Sequence, residues 1–172
     1  MKRSAARRAN NFFGQINLTL SGVSGQTVLV EKFYDLNASG TVDAGDLSMQ
    51  SFRVTDGVIP TLGGVTNLNV PGDADGTVNG QIQVELNYPG LDSIYSRIEG
   101  PWLYRVSSPS SAFTPVTRQF RVWQRTLPSF ISGSVSDGVN WLTNALVVAF
   151  DNNFTAVGGS RVQGSAHYTI YV

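Results

Sequence analysis

Apolar residues recur at every second position along most of this chain, in runs of five to nine residues. "QINLTLSG" places Ile16, Leu18 and Leu20 on one face. "QIQVELNY" sets Ile82, Val84 and Leu86 against Gln83, Glu85 and Asn87. "RQFRVWQR" alternates Phe120 and Val122 with Arg121 and Trp123. A period of two is the mark of strands with one face on a core. "QTVLVEKFY", "ALVVAF" and "HYTIYV" read as further strands, the second apolar enough to be buried on both faces. Glycine and proline clusters part these runs at roughly 8–15 residues, the spacing of a sandwich. No long amphipathic helix is found. "DAGDLSMQSF" fits a helical turn or two, but "LSMQSFRV" fits a strand equally well. The pattern predicts an all-β fold built on an antiparallel β-sandwich.

The rhythm breaks near "TLPSF", Thr126 to Phe130, where Leu127-Pro128 stops one strand and "FISGSVSDG" opens a new pattern. Three parts are expected: a flexible basic arm over 1–11, a β-sandwich domain over 12–126, and a second β domain over 127–172. About 45 residues are marginal for an independent core, so this last unit is expected to be truncated or to borrow a strand.

Composition narrows the class. Hydrophobic residues are 41% of the 172, enough for a core, while charged residues are only 14%. Uncharged polar residues and 18 glycines fill the difference, the dress of an extracellular or cell-surface β protein. The chain is electrically neutral, yet Lys2, Arg3, Arg7 and Arg8 crowd one end. Such an arm can touch nucleic acid or membrane phosphates; a run this short reads better as a solvated terminus. There is no cysteine, so disulfides, thiolate metal sites and a Cys nucleophile are excluded. No stretch approaches the ~18 apolar residues of a membrane helix. The residues after the basic start lack the apolar run of a secretory signal; if the protein is exported, the signal has been removed or this chain is a piece of something longer.

The most specific chemistry sits in "DLNASGTVDAGD", Asp35 to Asp46. A twelve-residue calcium loop draws oxygens from its positions 1, 3, 5, 7, 9 and 12. Here these are Asp35, Asn37, Ser39, Thr41 through its carbonyl, Asp43 through water or directly, and Asp46. Position 6 must turn sharply and is Gly40. Val42 is placed to anchor the loop on the core. The last ligand is Asp rather than a long bidentate Glu, and a strand rather than a helix leads in. The loop resembles those of bacterial dockerin-type modules, which also end on Asp, over these twelve residues only. The same residues suit a polar turn that binds nothing. "PGDADGTVNG" offers Asp73, Asp75 and Asn79, but Pro71 stands where a further donor is needed, so it reads as a tight turn.

Catalytic constellations are thin. His167 is the single histidine, within a strand pattern, and Glu31, Glu85 and Glu99 are the only glutamates. Nothing in their spacing selects an acid–base pair. No glycine-rich phosphate loop or nucleophile elbow is present. Trp102, Trp123, Trp141, Tyr88, Tyr95 and Tyr104 could line a sugar-binding face, although sandwiches use most aromatics as core. Arg118, Arg121 and Arg125 flank Trp123 as a weak strip for single-stranded nucleic acid, with Arg118 off the face of the others. Asn17, Asn37 and Asn153 head glycosylation-type triplets.

Downstream, "ISGSVSDG" gives Ile131, Gly133, Val135 and Asp137; "ALVVAF" gives Ala145, Val147 and Ala149; Gly164, Tyr168 and Ile170 follow. This series resembles the carboxypeptidase-regulatory-like family of transthyretin-like or Ig-like sandwiches. The resemblance spans about 45 residues and implies a non-catalytic accessory domain on a secreted or surface protein. The family's further strands are not found before Val172, which suggests strand complementation by another chain. The expectation is a non-enzymatic, calcium-stabilised structural or adhesion module. Its rivals are a strand-exchanging subunit of a filament or oligomer, a carbohydrate-binding module and a small viral coat protein. The partners implied are a second copy or a glycan, with no membrane span and no nucleic acid.

Overall fold

The computed structural model describes residues 6–9, 12, 14–62, 65–66, 71–88, 98–124, 126–162 and 164–172. These contain strands and turns and no helix. The fold is all-β and sandwich-like, as the alternation predicts.

Five strands form the larger sheet: β1 (Ala6–Ala9), β3 (Thr27–Tyr34), β4 (Leu47–Thr55), β8 (Gly100–Ser107) and β9 (Val116–Trp123), in the order β1-β9-β8-β3-β4. Facing it is an antiparallel pair, β2 (Gly14–Ser21) with β7 (Gln81–Tyr88), in register from Gly14↔Tyr88 to Ser21↔Gln81. A small pair, β5 (Thr61–Leu62) and β6 (Val65–Thr66), lies in the connection between β4 and β7. The core is the product of alternation on both layers. Val28 and Val30 of β3, Ile82, Val84 and Leu86 of β7, and Phe120 and Val122 of β9 are all buried. Trp102 meets Tyr34 edge-on at 5.1 Å between centroids, and Tyr104 stacks on Phe120 at 5.5 Å. Offset and edge-on rings of this kind add to what their burial already contributes.

The inward side of β3 also carries Lys32, only 2% exposed, with its ammonium 4.6 Å from the Trp102 ring centroid. A cation over an aromatic face offsets part of the desolvation. On the opposite face Glu31 and Arg105 are direct cross-strand neighbours and form a two-pronged ion pair, 2.8 and 3.0 Å. At the head of β8, Gly100 has φ +142°, and a Cβ there would run into the Tyr34 ring. The Tyr34 hydroxyl donates to the Glu99 carbonyl at 2.8 Å, and burial pushes its pKa up to about 12.

Two results differ from the sequence pattern. Ala6–Ala9, read as part of a flexible arm, pairs in parallel with β9, Ala6↔Phe120 to Ala9↔Trp123. "ARRA" has no strand period; the pairing comes from the edge of β9. And 47–55, open between helix and strand, is β4, because β3 offers it a full antiparallel ladder.

Beyond residue 126 the chain forms β10 (Phe130–Ser134), β11 (Leu146–Phe150), β12 (Ala156–Arg161) and β13 (His167–Tyr171). β10 pairs with β13 and β11 with β12. This unit is joined to the first: Ile98 bridges Gly159, Gln124 Nε2 donates to the Thr169 carbonyl at 3.2 Å, and Leu146 and Val148 pack against the main core.

Candidate metal centre

Residues 35–46 connect β3 to β4. Asp35 follows the last residue of β3 and is fully buried, its N–H donating to the Pro101 carbonyl at 3.1 Å. Its carboxylate accepts the N–H of Ser39 and of Gly40, both at 2.9 Å. The chain can curl round that carboxylate because Ala38 and Gly40 take positive φ, 58° and 77°. Glycine does so without strain; at Ala38 the left-handed conformation costs about 1 kcal/mol.

The middle of the loop turns its oxygens toward one another. Ser39 Oγ lies 2.8 Å from the Thr41 carbonyl oxygen and 3.1 Å from Asp43 Oδ2. Asn37 Nδ2 donates to the same Asp43 oxygen at 2.9 Å. Asp43 Oδ1 accepts the Gly45 N–H at 2.9 Å. The Asn37 amide, with the Gly45 N–H, holds the Asp43 carboxyl below its usual pKa. Asp46 closes the ring, accepting the N–H of Leu36 at 3.3 Å and of Asp43 at 3.0 Å. Leu36 packs against the core cluster and anchors the loop; Val42, expected in that role, is half-buried.

All six residues singled out by spacing thus belong to one closed network. Its closely spaced oxygens are Ser39 Oγ and, 2.8 and 3.1 Å from it, the Thr41 carbonyl oxygen and Asp43 Oδ2, a spacing that lets neighbours share an ion bound at roughly 2.3–2.6 Å. The donor set is all oxygen, with three carboxylates, and suits a hard cation. In the present arrangement Asn37 offers its NH2; a half-turn of the amide brings Oδ1 to the same place, at the loss of its 3.0 Å bond from the Ser39 N–H. Among the described residues no three His, Cys, Asp or Glu side chains form a group that could hold a metal. An ion here would therefore lean on the neutral oxygens of Asn37, Ser39 and Thr41 as well as on carboxylates.

The second acidic loop is built differently. Asp73, fully buried, accepts the N–H of Gly57 at 2.8 Å and of Gln83 at 3.0 Å. Asp75 and Asn79 face each other at 2.8 Å on the surface, and Asp75 also takes the Thr77 N–H. Asp73 is thus divided from the other two, an arrangement that favours the turn reading of this stretch. Its true companion is Asp56, which the sequence pattern did not single out. Asp56 is 1% exposed and its Oδ2 accepts the N–H of Gly25 at 2.7 Å and of Gly80 at 3.0 Å. These amides, Gly25 first, lower its pKa. The partners lie 24 and 31 residues away, beyond the reach of any spacing rule.

The remaining candidates scatter. Trp102 and Tyr104 are core, whereas Trp123 and Trp141 are exposed. Tyr95, Arg125 and the side chain of Tyr88 lie outside the described residues. Arg118 and Arg121 sit on opposite faces of β9 by alternation. His167 is exposed on β13, its Nδ1 3.3 Å from Ser134 Oγ on the paired strand. Glu31 is engaged by Arg105. A scan against protein-family models finds no family that matches this chain, and a search among curated proteins finds no relative.

Proposed function

We propose that this chain is a non-enzymatic, extracellular or cell-surface structural module whose 35–46 loop takes calcium as a structural ion. One observation carries the reading. Ser39 Oγ lies 2.8 Å from the Thr41 carbonyl oxygen and 3.1 Å from Asp43 Oδ2, inside a loop closed at both ends by Asp35 and Asp46, so the residues at the ligand positions are already drawn into one network. Asp35, Asn37, Ser39, Thr41, Asp43 and Asp46 would hold the ion, and the ion would add its binding free energy to folding. With an affinity of the extracellular type, on the order of 10⁻⁴–10⁻³ M, 10 mM calcium adds about 1.4–2.7 kcal/mol. For a chain of this size that raises the unfolding midpoint by about 3–10 °C. Scanning calorimetry in calcium, in magnesium and in chelator tests it. A midpoint that is the same in all three removes the ion.

A second reading, self-association, is favoured by the carboxyl-terminal unit. β10 and β11 each have one strand partner among the described residues, and neither carries a charged side chain. Phe130 is 61% exposed and Trp141 68%. Edges without charge or proline invite strand pairing. Light scattering across a dilution series decides it: a mass fixed at one chain at every concentration ends that reading.

A further inference from the structure

A groove of about 420 Å³ opens where β2 faces β8 and β9, lined by Leu18, Leu20, Val106, Phe113 and Val116. A narrower pocket of about 160 Å³ adjoins it, with Leu18, Tyr104 and Arg118 in the lining of both. Both parts are mostly apolar. The wide part adds Thr19, Ser21 and Thr114, and the narrow part adds Arg8, Asn17 and Gln119. No aspartate or glutamate lines either part.

Arg118 is the feature that calls for explanation. Along β9 it falls on the same side as Phe120 and Val122, which are core. At this end of the strand that side is exposed, at Arg118 as at Val116. Arg118 sets a cation between the two parts of the groove, opposite Tyr104 of β8, with its Nη1 donating to the Thr117 carbonyl at 3.1 Å. Arg8 lines the narrow part, its guanidinium 5.3 Å from the Phe12 ring centroid. A mostly apolar groove with two guanidinium groups and no acid in its lining matches a molecule with a hydrocarbon tail and one anionic head. Its volume lies in the range of small-molecule sites, roughly 300–1,000 Å³.

We infer that this groove binds a long-chain carboxylate, with the tail along Leu18, Leu20, Val106 and Val116 and the head against Arg118. The guanidinium is suited to the head because it meets a carboxylate with two parallel hydrogen bonds. The inference is independent of the calcium loop, which lies on the β3–β4 connection.

The test uses the full chain and displacement of a fluorescent fatty acid by decanoate and by decanol. Decanoate should compete at a single saturable site, and decanol at least about tenfold more weakly, the loss expected for one charge-assisted contact. Arg118→Gln should weaken decanoate by about tenfold and leave decanol unchanged. Val116→Glu, at a position already 44% exposed, should weaken both by setting a charge among the tail contacts. Both variants change partly solvated side chains, and an unaltered unfolding midpoint shows that they are folded. Absence of saturable binding overturns the inference. So does equal binding of decanoate and decanol with Arg118→Gln without effect. A dimer that Val116→Glu dissociates would give the groove to a second copy instead, and would overturn it as well.

Discussion

The loops at 35–46 and 71–81 share the triplet Gly-Thr-Val and a similar stock of Asp, Asn and Gly, and they put their carboxylates to different uses. In the first, Asp35, Asp43 and Asp46 bond to residues of the same loop, none more than ten positions away. In the second, Asp73 reaches Gly57 and Gln83, and beside it Asp56 of the β4–β5 turn reaches Gly25 and Gly80. One loop is a network closed on itself through Asp35, Ser39, Asp43 and Asp46. The other is a clasp, in which two buried carboxylates tie the β2–β3 and β4–β5 turns to the start of β7. Local closure shapes a loop; closure at a distance makes a joint. Each can be broken without breaking the other.

The largest effect belongs to the clasp. Asp73→Ala leaves the Gly57 and Gln83 amides without their acceptor in the interior. Hydrogen bonds to a charged group contribute about 1.5–3 kcal/mol each, so the loss should be about 3 kcal/mol or more, and the unfolding midpoint should fall by at least about 6 °C. The calcium-dependent rise should survive in this variant. If Asp73→Ala and wild type unfold together, the clasp is ornamental.

Next comes the ring. Asp43→Asn and Asp46→Asn should each remove most of the calcium-dependent rise of about 3–10 °C while changing the midpoint in chelator by less than Asp73→Ala does. Calorimetry of the three variants, with and without calcium, separates ion binding from the clasp. A calcium response retained in both Asn variants would take the ion away from this loop.

Acid sharpens the same contrast. Asp56 has its folded pKa below the ordinary carboxylate value, held there by the Gly25 and Gly80 amides. A depressed folded pKa gives stability that is present above the unfolded value, near 3.9, and is lost as pH falls through the lowered folded value. In chelator the midpoint should therefore drop on acidification below about pH 4, and Asp56→Asn should flatten that limb. Asp43 and Asp137 are lowered as well, through Asn37 and Gly45 in one case and Asn140 and Val139 in the other. Some acid slope should thus remain in Asp56→Asn. Midpoints between pH 3 and 7 that fall equally in wild type and variant would show that Asp56 is not a source of it.

The difference between the loops is also a difference in what sequence can disclose. The network that joins Asp35, Asn37, Ser39, Thr41, Asp43 and Asp46 was legible because all six fall within twelve residues, where spacing is geometry. β7 and β13 were legible for the same reason, since a strand repeats every two residues whatever it pairs with. The clasp was not: Asp56 next to a glycine looks like any turn residue until Gly25 and Gly80 are brought to it. The Glu31–Arg105 pair depends on the register of β3 with β8. β8 shows its alternation only weakly, because Leu103 is buried between Trp102 and Tyr104, on the face that also carries Arg105 and Ser107. β1 carries no strand signal of its own and forms only on the edge that β9 offers. The groove at Arg118 was half visible. That Arg118 leaves the face of Arg121 is read from alternation, but what that other face opens onto is decided by β2, nearly a hundred residues earlier.

The smallest effect is the most discriminating for the resemblance between the loops. Asp75 occupies the place in "GDADGTVNG" that a metal ligand would hold, and its bonds to Thr77 and Asn79 look much like those of Asp43. Its surroundings differ, since Asp75 is exposed and Asp73, its nearest acidic neighbour in sequence, is turned inward to the Gly57 and Gln83 amides. Water can replace both of its bonds, so Asp75→Ala should change stability by no more than about 0.5 kcal/mol, or about 2 °C in midpoint, and leave the calcium response intact. The direct check is a calorimetric titration of calcium into this variant beside Asp43→Asn. Should Asp75→Ala lose the binding heat and Asp43→Asn keep it, the ion belongs to the second loop, and the roles of ring and turn are reversed.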